Sequence, residues 1–262
     1  GRAKFSLGFQ TVPKIVDLVT GTVPFIYRNI VESAIMNMTS LKYDDIVREK
    51  FSQELKDAVK VNDELGGYMS AAALGTQFNT GDERLSGQLK QVAKLISARE
   101  ARKAERDIFY TFLGGFDHHT SVEQNLQDNL PAVNDALKKF VDELKAQGNF
   151  DKVTLVMNSE FGRTLAPNSN EGTDHGWAGH TFVLGGSVKG GVVLNKYPET
   201  LLPDHAMDIG HGRIIPAFPF ENIMVPIAEW MGMEPQQEDS VFPNLKNFNI
   251  SEHVLPRSTV FT

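Results

Sequence analysis

The feature that most constrains the fold is a long amphipathic helix predicted between two short apolar runs. From Ser121 to Gln147 apolar residues recur with a period of 3.6, and Gly148 can end the helix. The runs at 108–115 and 152–159 have the length and composition of buried strands, and residues 180–186 supply a further one. Strand, crossover helix and strand form the βαβ unit of a parallel sheet. We therefore expect an α/β fold, with a mostly parallel sheet covered by helices.

The first hundred residues lack this alternation and predict helices. Apolar residues form a helical stripe from Tyr43 to Leu65, which the pair Gly66-Gly67 is expected to end. A second helix is predicted from Glu83 to Arg106. Both stripes are typical of packing faces, and they predict a helical N-terminal region.

The length of the chain bounds its domain organisation. At 262 residues it can form one large α/β domain with a helical extension. We expect residues 1–106 to form the mainly helical region and residues 107–262 the α/β core, within one continuous domain. A further amphipathic helix is predicted in the core from Asn222 to Met231.

Charge and composition exclude several classes of function. The net charge is −7, from 26 basic and 33 acidic side chains, which disfavours binding to nucleic acid. The chain has no cysteine, which excludes disulfides, thiolate metal sites and a cysteine nucleophile. No run approaches the roughly 20 apolar residues of a membrane helix. We expect no nucleic-acid partner and no transmembrane segment.

A first polar cluster, GGFDHH at 114–119, follows the first predicted strand. Ligands bind beyond the carboxyl ends of parallel strands, and Asp117 and the imidazoles suit zinc, manganese or similar ions. Asp117 could equally cap the helix that begins near Ser121. The cluster alone leaves both interpretations open.

Two further polar clusters lie at 158–164 and 172–180. In the first, Glu160 could be a metal ligand or general base and Arg163 an oxyanion clamp for phosphate or sulfate, or the two could form a loop ion pair. The second holds Asp174 and two histidines among glycines, which suits a preorganised site. Its alternative is a structural histidine beside an Asx-turn.

Five ordered blocks carry a resemblance to a known family. They are GGFDHH, NSEFGRT with the asparagine that follows in APNSN, GTDHG, VLGGSVKGGVV and GHGRIIPAFPFENIMVPIAEWMG. Their order and spacing, over about residues 108–235, resemble the bacterial domain of unknown function 1501 family, which is related to sulfatases within the alkaline phosphatase superfamily. The resemblance implies an alkaline phosphatase/sulfatase-like fold and metal-dependent hydrolysis of a phosphate or sulfate ester.

The same resemblance implies roles for individual residues. Asp117 with His119, and Asp174 with His175, would be metal ligands. The catalytic pair would be Glu160, as the acid at a strand end, and Arg163, as the oxyanion contact. The metal would be zinc, or calcium, magnesium or manganese.

Two departures from the superfamily pattern support a rival interpretation. No glycine-rich motif with a nucleophile precedes residue 100, so the segment with the first strand or strands either lies upstream of Gly1, has been removed or is absent. Phe161 stands where many superfamily hydrolases have histidine. The rival is a non-catalytic structural or binding protein that retains the sulfatase-like fold.

The resemblance also suggests partners and a location. The expected substrate is a small anionic ester or a sulfated or phosphorylated glycan. An edge left by a missing strand would favour association with the chain's own N-terminal fragment or with another chain. Secretion or a periplasmic location is expected from the family resemblance.

Overall fold

A computed structural model of the chain describes residues 28–78, 83–203 and 205–262. The chain divides into two compact units. The first comprises residues 1–113 and 131–147, and the second residues 114–130 and 148–262. The sequence-based division at residue 106 remains a prediction.

The first unit is helical in its described part. It contains α1 (Arg28–Thr39), α2 (Ile46–Ala71), α3 (Glu83–Ser97) and the later residues of α4 (Val122–Ala146). Asp45 caps α2, because its carboxylate accepts a hydrogen bond from the Arg48 N–H at 2.8 Å. The core is built from buried apolar side chains of α2, α3 and α4: Val59, Met69, Leu89, Val92, Ala93, Ile96, Ala136, Phe140 and Leu144.

The predicted helices are present in the structure, but several of them end at other residues than predicted. The predicted helix from Ser121 to Gln147 is α4. The pair Gly66-Gly67 does not end α2, which continues to Ala71. A glycine costs about 1 kcal/mol in a helix relative to alanine, a penalty that the rest of this long helix outweighs. Helix α3 ends at Ser97 rather than at Arg106.

The second unit combines two small sheets with short helices. Strands β1 (Thr154–Met157) and β4 (Phe182–Gly185) pair antiparallel, as do β2 (Gly162–Arg163) and β3 (His175–Gly176). Helix α5 (Glu221–Trp230) corresponds to the helix predicted at 222–231. The remaining helices are one turn each: α6 (Glu238–Val241), α7 (Ile250–His253) and α8 (Arg257–Val260), with 3₁₀ turns at Phe150–Lys152, Pro235–Gln237 and Leu245–Asn247.

The predicted mostly parallel sheet is wrong. In the described part of the chain there are only two sheets, each of two antiparallel strands, and residues 108–115 form no strand. The apolar runs at 152–159 and 180–186 do contain β1 and β4, but the chain returns between them and pairs Thr154 with Gly185. An antiparallel pair needs no crossover helix, whereas a parallel pair does. The alkaline phosphatase/sulfatase-like α/β fold is therefore also wrong.

The described helices include none that is both long enough and apolar enough to cross a membrane.

Candidate metal centre

A short segment at 170–173 holds the first polar cluster in place. The N–H of Thr173 donates to the His118 carbonyl at 3.0 Å, and the N–H of Ser121 donates to the Asn170 carbonyl at 3.1 Å. An isolated bridge pairs Thr120 with Glu171. The residues that follow Asp117 are therefore tied to the loop that leads into β3.

The same loop continues into the pairing with β2. Arg163 stands opposite His175 in the antiparallel register, and the Thr164 N–H donates to the Asp174 carbonyl at 2.9 Å. Residues 173–175 thus lie between two segments far apart in sequence. All three predicted clusters meet at this segment.

Glycines make this close approach possible. A Cβ added to Gly172 would lie 2.1 Å from the carbonyl carbon of His119, and one added to Gly162 would lie 1.8 Å from the carbonyl oxygen of Ala178. No side chain fits at such distances, since the obstructing atoms are backbone. The glycines of the GTDHG and SEFGR blocks therefore serve packing between the segments that carry the polar side chains.

Three donor atoms come together on the surface of this unit. Asp117 Oδ1 lies 3.1 Å from His119 Nε2 and 3.0 Å from His175 Nε2, and the two Nε2 atoms are 3.2 Å apart. The three atoms form a nearly equilateral triangle. The side chains are 53%, 47% and 52% exposed, so the triangle is open to solvent. Among described residues, this is the group whose donors could share one metal ion.

Asp174 contacts the centre through His119. Its Oδ1 lies 3.2 Å from His119 Nδ1 and accepts a hydrogen bond from the Asn168 side-chain amide at 3.3 Å. The Asn168 amide first, and then His119, lowers the pKa of Asp174 below its ordinary value. Asp174 is therefore an ionised carboxylate that contacts Nδ1 of His119, whereas Nε2 of the same ring belongs to the donor triangle.

Arg163 links the triangle to the loop beneath it. Its Nε donates to the Thr173 hydroxyl at 2.9 Å, and its terminal nitrogens donate to the Thr173 carbonyl and to Asp117 Oδ1. Desolvation acts to raise the pKa of Asp117, but the hydrogen bonds from Arg163 and His175 outweigh it and lower this pKa. Asp117 is thus held as a carboxylate.

The remaining predicted residue, Glu160, lies outside the donor triangle. Its side chain is exposed and accepts a hydrogen bond from the Ser159 hydroxyl at 3.4 Å. His118, the middle residue of the first block, is buried, and its Nε2 lies 2.6 Å from the Gly115 carbonyl. His180 stacks on Tyr197 with ring centroids 5.5 Å apart. The structure therefore brings together Asp117, His119, Arg163, Asp174 and His175, but not Glu160.

Three residues near the centre were not assigned roles from the sequence. Asn168 accepts hydrogen bonds from the N–H groups of Asn170 and Gly172 and donates to the His119 carbonyl at 3.0 Å. Thr173 receives two bonds from Arg163. Phe161 stacks on His175 with centroids 4.1 Å apart. All three had a signal, since each stands within a motif block, but nothing in the blocks indicated which partner each would contact.

The fold and the donor set together define a class: a largely helical protein with small antiparallel sheets and a candidate divalent-metal centre of two histidines and one carboxylate. Residues 32–206 match the model of the family described as protein of unknown function (DUF1501). The chain belongs to this family, as its sequence blocks predicted. No curated protein and no solved structure matches the chain.

Proposed function

We propose that the chain binds a divalent transition metal at Asp117, His119 and His175 and hydrolyses a phosphate or sulfate ester there. The observation that carries the proposal is the triangle of donor atoms, with edges of 3.0–3.2 Å. Two imidazoles and one carboxylate are a common ligand set of hydrolytic zinc sites.

The spacing of the donors fits a metal ion. Adjacent ligands about 2.0–2.1 Å from a metal lie about 2.9 Å apart in an octahedral arrangement and about 3.4 Å apart in a tetrahedral one. The observed edges fall between these limits. The half-exposed side chains also fit an open site, since structural zinc sites are closed by a fourth protein ligand.

Asp174 would orient His119 rather than contact the metal itself. A metal-ligating histidine donates its other ring N–H to a carboxylate or carbonyl, which fixes the tautomer. With Asp174 Oδ1 beside His119 Nδ1, the proton is held on Nδ1 and the lone pair of Nε2 is directed into the triangle. In place of the predicted ligand pair of Asp174 and His175, we therefore propose that His175 is a ligand and that Asp174 orients His119.

Arg163 has donors left for a substrate oxygen. A guanidinium carries five N–H groups, and three of them are used on Thr173 and Asp117. The side chain is 22% exposed, so the remaining two can reach solvent beside the donor triangle. A planar cation in this place suits the oxygens of a phosphate or sulfate group.

The hydroxyl groups near the centre already have structural partners. Thr164 is buried and donates to the Ala166 carbonyl, and the Thr173 hydroxyl accepts from Arg163. Neither is poised as a nucleophile. A divalent metal would supply Lewis-acid polarisation of the ester and activation of water. The protein's own part would be to hold the donor triangle and to bind the anionic oxygens through Arg163.

Family membership supports this proposal only through the sequence blocks. The relation of the family to sulfatases is part of the proposal and rests on GGFDHH, SEFGR and GTDHG rather than on the fold. Those blocks contain all three donors and Arg163. An anionic ester, free or on a glycan, is the substrate class that suits Arg163 beside the centre.

The test compares metal content with ester hydrolysis. Protein purified without chelator is analysed by mass spectrometry for metals and assayed on aryl phosphate and aryl sulfate. We expect about one equivalent of metal, lost together with activity in the His119→Gln, His175→Gln double variant. His180→Gln, an exposed histidine outside the triangle, is the matched control and should retain both.

Two other outcomes of this experiment would contradict the proposal or its catalytic half. No metal in the wild type, or equal metal in wild type and double variant, contradicts the proposed centre. Metal bound at the triangle without hydrolysis of either ester class refutes the catalytic half of the proposal. That result would favour the rival function, a binding protein that holds an ion.

A further inference from the structure

A second feature of the molecule lies in the first unit. A cavity of about 350 Å³ is lined by residues 74–78, which follow α2, and by Lys90 and Lys94 of α3. Sites for small molecules typically measure about 300–1,000 Å³, so the cavity is large enough for a small ligand. None of its lining residues belongs to the candidate metal centre.

The two lysines give the cavity a positive charge. They stand four residues apart on α3, so their side chains emerge on the same face of the helix. Neither forms an ion pair with a described residue. Burial, and then the neighbouring charge of Lys90, lowers the pKa of Lys94. The two ammonium groups repel each other and have no acidic partner among the described residues. An occupant of opposite charge would therefore be bound favourably between them.

The loop that forms the other wall is held in place by a buried carboxylate. Glu143 accepts a hydrogen bond from the Thr76 N–H at 2.7 Å and another from the Gln147 amide at 2.9 Å. Glu143 does not line the cavity, and its charge is satisfied by these donors. The loop is therefore fixed without using the lysines.

The loop also has a main-chain donor to spare. The N–H of Gly75 is directed to the Glu143 carboxylate, whereas the N–H of Gln77 donates to no other described residue. Main-chain N–H groups and ammonium groups together are the usual donors to tetrahedral anions. The lining residues thus carry both kinds of donor, whereas none of them has a carboxylate.

We propose that this cavity binds a phosphate or sulfate group, with Lys90 and Lys94 as its charged contacts. The site is distinct from the candidate metal centre and does not depend on the proposed function. An anion between the two ammonium groups would relieve their repulsion and restore the pKa of Lys94 toward its ordinary value.

The direct test is nuclear magnetic resonance of the lysine side chains. Lysines are labelled by reductive ¹³C-methylation, and the signals of Lys90 and Lys94 are assigned with the single variants Lys90→Gln and Lys94→Gln. Inorganic phosphate, inorganic sulfate and glycerol phosphate are titrated at constant ionic strength. We expect saturable shifts of both signals and a rise in the pKa of Lys94. Signals that move no more than those of exposed Lys42 and Lys60 would overturn the proposal.

Calorimetry of variants provides an independent readout. The double variant Lys90→Gln, Lys94→Gln should bind the preferred anion about tenfold more weakly or worse. The matched control, Lys42→Gln with Lys60→Gln, removes the same charge from exposed positions and should bind within about twofold of wild type. Equal weakening in both double variants would show only a general charge effect and would refute the site.

The three probes distinguish the source of the anion. Tighter binding of inorganic phosphate or sulfate than of glycerol phosphate identifies a site for the free ion. The reverse order identifies a site for a phosphorylated small molecule. Because the lysine signals report on this cavity alone, binding at Arg163 leaves them unchanged, and failure here does not bear on the metal centre.

Discussion

Asp117 Oδ1 is the atom on which the interactions of the candidate centre converge. It faces both Nε2 atoms of the triangle and accepts a hydrogen bond from Arg163. Three groups, two imidazoles and one guanidinium, thus depend on the position of one carboxylate oxygen. The short side chain of aspartate has few rotamers, so its position is set by the backbone that Gly172 allows to approach.

The orienting role of Asp174 yields a prediction at the residue scale. Asp174→Asn removes the charge behind His119 but keeps a side chain of the same shape. Loss of such an outer carboxylate typically lowers metal affinity about 10–100-fold, and we expect an effect in this range. Zinc competition titration with a chromogenic chelator measures it.

Glu160→Gln is the control for this prediction. It removes one negative charge from an exposed carboxyl in a neighbouring motif block, outside the triangle. We expect its zinc affinity to stay within about twofold of wild type. If Glu160→Gln weakened zinc binding as much as Asp174→Asn, the role assigned to Asp174 would be wrong.

At the scale of elements, the centre depends on three chain segments that approach within backbone contact. The residues after Asp117, the loop 170–174 and strand β2 are joined by main-chain hydrogen bonds of 2.9–3.1 Å. Two non-glycine residues of this assembly, Ser121 and Glu171, adopt left-handed φ angles of 45° and 56°. Such conformations cost free energy and persist where surrounding contacts determine them.

Gly172→Ala tests the requirement for close approach. Its Cβ would meet the backbone of His119 and Thr120 at 2.1–2.4 Å, so the two segments would have to separate. We expect a loss of about 1–3 kcal/mol in the free energy of unfolding, together with weaker metal binding. Urea unfolding and zinc titration measure the two effects.

Gly190→Ala is the control for the Gly172 variant. No atom lies within 4 Å of the Cβ it would add, so its stability and metal binding should match wild type. A Gly172→Ala protein with unchanged zinc affinity would show that the approach of these segments does not position the donors.

The buried carboxylate of Glu143 gives a pH-dependent prediction for α4 and the loop at 72–78. Burial acts to raise the pKa of Glu143, but the hydrogen bonds from Gln147 and Thr76 outweigh it, so this pKa is lowered. A carboxyl with a lowered folded pKa stabilises the fold above its unfolded pKa of about 4.3. That contribution is lost as the pH falls through the folded pKa.

Glu143→Ala should therefore cost more at neutral than at acidic pH. At pH near 7 we expect a loss of about 1.5–3 kcal/mol, because buried donors on Gln147 and Thr76 lose a charged acceptor. Urea unfolding at several pH values should show the wild-type and variant stabilities converging below about pH 4. Glu123→Ala, exposed on the same helix, should show no such convergence, and equal pH slopes would refute the account.

At the scale of the whole molecule, the sequence predicted local features better than long-range pairing. The period of α4 is a local property, so its bounds agree with the structure to within one residue at each end. The apolar runs that contain β1 and β4 were found for the same reason. The antiparallel pairing of these two strands was not predicted, because an apolar run has the same sequence pattern in a parallel and in an antiparallel strand. The wrong fold class followed from that ambiguity.

The sequence indicated the residues of the candidate site by their type, and the family resemblance supplied their expected roles. Asp117, His119 and His175 stood out because carboxylates and imidazoles among glycines suit a preorganised site, although residue type alone also allowed Asp117 to be a helix cap. Which atoms face one another could not be read from the sequence, because this depends on the register of β2 against β3. The place of Asp174 behind His119 and the stacking of Phe161 on His175 are consequences of that register.

The central claim is that Asp117, His119 and His175 bind one metal ion together. The most direct test is X-ray absorption at the zinc edge on protein loaded with one equivalent of zinc. We predict oxygen and nitrogen ligands at about 2.0–2.1 Å and the scattering of two imidazoles, falling to one in His175→Gln. A spectrum without imidazole scattering, or one unchanged by His175→Gln, would contradict the claim.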